Sequence, residues 1–133
     1  MSCLFDSLAS ALSGRAGLLR HARYEAIRAL PNPVTGAALR AALCDVMPSV
    51  RVHGASLDEW GAMETGGAPS EYAARMRAPS TWGGGVELAA FASALRLPVH
   101  VECAEGTFTF GAKYASHAAP VRVRYDGAHY TPA

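Results

Sequence analysis

Cys3 and His129 are the residues whose types and placement suggest covalent chemistry. Leu4, Phe5, Leu8, Ala11 and Leu12 recur at helical spacing, which predicts a helix over residues 3–12 with the thiol in its first turn. Unpaired backbone N–H groups and the helix dipole at that end favour a thiolate. The same N–H groups can hold a developing oxyanion. A thiolate nucleophile needs a base. His129 follows the turn signal Asp126-Gly127, opens the last predicted strand and is flanked by Tyr130. Taken singly, each residue also fits a plainer reading: Cys3 as a small apolar residue near a terminus, His129 as an edge histidine.

The other reactive types carry weaker signals. Cys44 lies beside the Leu43 stripe of a predicted helix, and Cys103 shares a strand face with Val99 and Val101, so both are expected in the core. Three widely spaced cysteines make a poor disulfide framework and no zinc pattern, and a reducing, intracellular setting is expected. His21, His53, His100 and His117 have no metal-ligand spacing with one another, so neither a metal nor any other cofactor is expected. Trp82-Gly83-Gly84-Gly85 precedes a helix but lacks the phosphate-binding glycine patterns, and no GxSxG elbow occurs. The formal net charge is +1, and Arg15, Arg20, Arg23, Arg28 and Arg40 are spread along amphipathic segments, as on solvated helix faces. Nucleic acid is therefore not an expected partner. No apolar run reaches the roughly 18 residues of a membrane span. The opening Met1-Ser2-Cys3-Leu4-Phe5 has no basic stretch and does not read as a secretory signal.

The elements that must position the pair follow from periodicity. Beyond the first helix, helices are predicted over 18–30, ended by Pro31-Asn32-Pro33, and over 36–47, ended by Pro48. Ser56-Leu57-Asp58-Glu59 is a capping-box pattern opening a short helix to about residue 63. Ser70 is expected to cap a short helix carrying Tyr72 and Met76, and a further helix spans 85–96. The period then becomes two at Val99/Val101/Cys103, Phe108/Phe110 and Val121/Val123/Tyr125, with His129-Tyr130-Thr131 as a returning strand. Helices first and strands last imply a single α+β domain, residues 1–133, with a mostly antiparallel C-terminal sheet.

In order along the chain these signals resemble the ovarian tumour (OTU) cysteine proteases. Ser2-Cys3-Leu4-Phe5-Asp6-Ser7-Leu8 is similar to the second half of that family's nucleophile motif, Asp-Gly-x-Cys-Leu-Phe-x-Ser. Tyr72, Met76, Trp82-Gly83-Gly84, Glu87-Leu88 and Pro98-Val99-His100-Val101 resemble its middle motif, and Val121–Tyr125 with His129-Tyr130 its last. The resemblance implies a papain-like fold, helices on a small sheet, and a monomeric cytoplasmic thiol protease acting on ubiquitin or ubiquitin-like conjugates. It implies Cys3 as nucleophile, His129 as base, and the backbone N–H groups of Cys3 and Ser2 as oxyanion donors. Trp82, Gly83, Gly84 and Tyr130 would shape the cleft for an extended C-terminal tail. Two positions depart from the family. Its Asp-Gly ahead of the cysteine has no counterpart here, and Thr131 stands where an Asn or Asp usually orients the histidine. The small size is similar to domains excised from viral polyproteins. Rival expectations are therefore a polyprotein-processing protease and an inactive ubiquitin-binding module of the same fold.

Overall fold

The structure, a computed structural model, describes residues 3–133, without the side chains of Cys3, Ala16 and His21. Its helices are α1 (Cys3–Ala11), α2 (Glu25–Arg28), α3 (Gly36–Val46), α4 (Leu57–Thr65), α5 (Pro69–Met76) and α6 (Gly85–Leu95). A minimal hairpin, β1 (Arg51–Val52) and β2 (Ala55–Ser56), lies between α3 and α4. The strands β3 (Val99–Cys103), β4 (Gly106–Phe110), β5 (Val121–Tyr125) and β6 (Tyr130–Pro132) form the main sheet in the order β4-β3-β5-β6. The fold is α+β, as expected from helices preceding strands.

Local chemistry accounts for most boundaries. The Thr35 hydroxyl accepts the Ala38 N–H and starts α3. Ser56 and Glu59 close the expected capping box on α4. The segment 18–30 departs from the single helix expected there. It forms a 3-10 helix over Ala16–His21, an extended residue at Ala22 and the short α2. The Arg23 N–H turns away to the Ala94 carbonyl of α6. This break buries Leu19, Ala22 and Ile27 together, so tertiary burial outweighs local helix periodicity. Ser70 is not the cap of α5: Ala68 holds that position and Pro69 opens the helix, with Ser70 behind it in the first turn.

Within the sheet, β3–β4 and β5–β6 are antiparallel hairpins and β3–β5 is a parallel pair. The parallel pair arises because the link from β4 passes a 3-10 turn at Ala112–Tyr114 and returns on the far side of β3. Arg15 fastens that link by donating to the carbonyls of Ala119 (2.7 Å) and Pro120 (3.4 Å). Val99, Val101, Val121 and Val123 bury one face of the sheet in the core with Leu88, Phe91 and Leu95 of α6. Strand β4 lies at the sheet edge, and Phe108 on it is exposed.

Leu4, Phe5 and Leu8 of α1 are fully buried, each side chain contributing about 1.5–3 kcal/mol of transfer free energy. These residues press α1 against α3, β5 and β6, which fixes the end of the helix where Cys3 begins it.

Candidate active site

The first turn of α1, the Trp82-Gly83 loop and the turn before β6 meet at one place. Gly83 lies against the start of α1: a Cβ there would stand 2.8 Å from Leu4 Cδ2 and 3.1 Å from Phe5 Cε2. Glycine at this position is what allows the loop to approach so closely. The next residue back, Trp82, places its indole beside the His129 imidazole, with ring centroids 5.3 Å apart at 46°. Strand β6, which His129 precedes, itself packs on α1. The helix that Cys3 opens, the tryptophan loop and His129 are therefore held together by contacts among described residues.

Cys3 opens α1, as expected. Its sulfur and all of Ser2 lie outside the described residues, so the sulfur–imidazole contact and the Ser2 oxyanion donor remain expectations from sequence. His129 is exposed. Trp82 is 57% exposed. Thr131 sits in β6 opposite Arg124 and faces solvent. Among the described residues no hydrogen bond joins its hydroxyl to the His129 ring. Tyr130 is half-buried and stacks on Tyr125, ring centroids 4.5 Å apart, which stiffens the β5–β6 hairpin beneath His129.

Two buried polar groups hold the tryptophan loop. Arg40, assigned from sequence to a solvated helix face, is instead only 3% exposed. Its guanidinium donates to the carbonyls of Met76 (2.7 Å), Thr81 (2.9 Å) and Pro79 (3.4 Å). It also lies over the Phe5 ring, 4.3 Å from the centroid. One side chain thus ties the chain between α5 and Trp82 both to α3 and to α1. A signal was present in the sequence: Gly36, Arg40, Leu43 and Met47 share one helical stripe, and a charge on an apolar stripe requires internal partners.

The second group is Glu87. Its carboxylate accepts the Gly84 N–H (2.7 Å) and the Tyr72 hydroxyl, bracing the glycine turn against α5. Burial pushes the Glu87 carboxyl above its ordinary range, partly opposed by these hydrogen bonds. Beside the turn a cavity of about 210 Å3 is lined by Glu64, Arg75, Thr81, Trp82, Gly83 and Gly84.

The remaining thiols separate clearly. Cys44 is buried, and desolvation pushes its thiol up to about 11, so it is inert at neutral pH. Cys103 is not a core residue. It ends β3 where the hairpin opens to solvent, is half-exposed, and its Sγ donates to the Gly106 carbonyl at 3.2 Å. The strand alternation placed it on the Val99/Val101 face, but alternation does not locate the end of a sheet. Of the other histidines, His53 occupies the β1–β2 turn with φ 50, and His117 lies beside the Tyr114 ring. Among the described residues no group of three or more His, Cys, Asp or Glu could hold a metal, and no helix is long and apolar enough to cross a membrane.

Residues 2–132 match the family model described as OTU-like cysteine protease. The chain belongs to that family. Two solved structures share its fold. One, described as an ovarian tumour (OTU) domain in complex with ubiquitin, aligns with a TM-score of 0.65 at 17% identity over 97% of this chain. The chain spans 61% of that structure's own chain. The other is an OTU deubiquitinase from Wolbachia pipientis wMel, with a TM-score of 0.64 at 18% identity over 98% of this chain and 80% of that one. No curated protein matches. The meeting of α1, Trp82-Gly83 and His129 is the candidate site in this family frame.

Two outcomes test the supports of this OTU site. Arg40→Met is expected to destabilise the fold by roughly 2–4 kcal/mol, because several carbonyls lose a charge-assisted donor at once. Chemical denaturation measures this, and a change below about 0.5 kcal/mol, the scale of an ordinary surface substitution, would contradict the bracing role. For Glu87 the native carboxyl is raised above its unfolded value. Its favourable neutral form is fully present below the unfolded carboxyl range and is lost as pH rises through the native value. Glu87→Gln keeps the shape and stays neutral. Its melting temperature is therefore expected to gain on wild type progressively as pH rises from about 4 to about 8. A gap that is flat or narrows with pH contradicts the assignment.

Proposed function

We propose that this chain is a thiol-dependent deubiquitinase that hydrolyses the bond after the C-terminal glycine of ubiquitin through a thioester on Cys3. The observation that carries the reading is the contact of His129 with Trp82 while Gly83 touches the first turn of α1. That arrangement brings an imidazole, an indole and a helix start close together. Family membership, and the ubiquitin complex and deubiquitinase among its structural neighbours, support the choice of substrate.

In this reading His129 takes the Cys3 thiol proton, and the thiolate attacks the glycine carbonyl. Negative charge develops on the carbonyl oxygen, and the backbone N–H groups of Cys3 and Ser2 receive it. A single such donor is worth about 10²–10³ in rate. The C–N bond breaks as His129 returns the proton to the leaving lysine amine. Water, deprotonated by His129, then cleaves the thioester and frees the thiol. Trp82, Gly83 and Gly84 would flank the extended tail, the glycines letting backbone approach backbone, with Tyr130 at its edge.

A ubiquitin C-terminal electrophile probe, run beside probes built on ubiquitin-like modifiers, tests the proposal. The expected result is a covalent adduct with ubiquitin in wild type, Cys44→Ala and Cys103→Ala, and none in Cys3→Ala. His129→Ala is expected to slow adduct formation by about 10²-fold or more. Adduct only with another modifier would move the substrate to that modifier. Cleavage of a polyprotein junction without any adduct would favour the processing protease, and bound ubiquitin without adduct the inactive module.

A further inference from the structure

The turn that carries His129 is built around one carboxylate. Asp126 Oδ1 accepts the backbone N–H of Ala128 at 2.8 Å and that of His129 at 2.7 Å. The Asp126 N–H in turn donates to the His129 carbonyl at 3.2 Å. Gly127, at φ +98, supplies the left-handed backbone that lets the chain fold over the carboxylate. Three hydrogen bonds thus close on the four residues 126–129. They fix the backbone of His129 before β6 begins. The exposed imidazole has no hydrogen-bonding side chain among the described residues, and its ring contact there is Trp82. Its aim therefore depends on its backbone more than on a side-chain orienter.

We propose that Asp126 is a positioning residue for His129, holding the base against Trp82 and toward the start of α1 through the two hydrogen bonds of its carboxylate. Thr131 stands on the neighbouring strand position, exposed and opposite Arg124, and supplies no charge. Asp126, three residues before the histidine, accepts the His129 backbone N–H rather than its ring N–H. The same two N–H groups hold the Asp126 carboxyl below its ordinary range, with a smaller contribution from the nearby His129 ring. The carboxylate is therefore ionised, and a strong acceptor, at any pH where the histidine acts as a base. Arg124 and Glu102 line the same surface cavity as Asp126, and Arg124 pairs with Glu102 at 3.9 Å.

The inference rests on His129 being the base of the proposed deubiquitinase, and the experiment separates the two. Asp126→Asn keeps a carbonyl oxygen in place for both N–H groups, whereas Asp126→Ala removes it. Cleavage of a ubiquitin C-terminal fluorogenic substrate is measured for both, with wild type and His129→Ala as references. Asp126→Ala is expected to lower kcat by about one to two orders of magnitude with KM within about twofold, the pattern of a misplaced catalytic group. Asp126→Asn is expected to stay within about threefold of wild type. In parallel, the nuclear Overhauser contact between the Trp82 indole and the His129 ring is expected in wild type and Asp126→Asn and lost in Asp126→Ala. The side chain is exposed, so melting temperatures of the variants are expected within about 4–8 °C of wild type. Equal kcat in wild type and Asp126→Ala while His129→Ala is inactive overturns the proposal alone. Equal losses in Asp126→Asn and Asp126→Ala overturn it too. An inactive wild type defeats the deubiquitinase reading, and the ring contact then still decides whether Asp126 positions His129.

Discussion

The site depends on a buried guanidinium. Arg40 donates to the carbonyls of Met76, Pro79 and Thr81 and lays its face over the Phe5 ring. A charge so enclosed is tolerated only where hydrogen bonds replace water. The geometry is therefore strict: the loop that ends at Trp82 must run where those carbonyls can be reached, and α1 must lie where Phe5 can sit under the cation. Trp82 then meets His129, and Gly83 meets Leu4. Glu87 repeats the device from the other side, joining α6, the glycine turn and Tyr72 of α5.

Dispersed contacts thus converge on the small surface around Trp82 and His129. The core supplies stability through α6 and the valine face of the sheet, and the polar groups supply register. This division suits a short chain. His129 and Trp82 both stand exposed, while their supports are buried or tied into turns.

Much of this was legible from residue order. Helix boundaries at Thr35 and Ser56 follow from capping chemistry, and the shift of period at Val99 marks the start of the sheet. The ordered blocks around Cys3, Trp82-Gly83-Gly84 and His129 carried the family, which neither Cys3 nor His129 would have done alone. Other features depend on contacts distant in sequence. The helix expected over 18–30 breaks because Arg23 bonds to Ala94, some seventy positions away. Cys103 looked like core because alternation does not mark the end of a sheet. Arg40 looked solvated because spacing among arginines was weighed instead of its place on the Leu43 stripe. Asp126 registered as a turn former, and the use of its carboxylate on the His129 backbone became visible only with the turn in three dimensions.

The central claim is that α1, the tryptophan loop and the His129 turn combine into a working thiol–imidazole pair. The most direct measurement is the pH dependence of Cys3 alkylation by iodoacetamide, read by mass spectrometry in wild type and His129→Ala. The account predicts that wild-type Cys3 reacts as a thiolate well below the ordinary cysteine value of about 8.5, and that His129→Ala returns it toward that value. A wild-type profile with the ordinary midpoint, unchanged by His129→Ala, would contradict it.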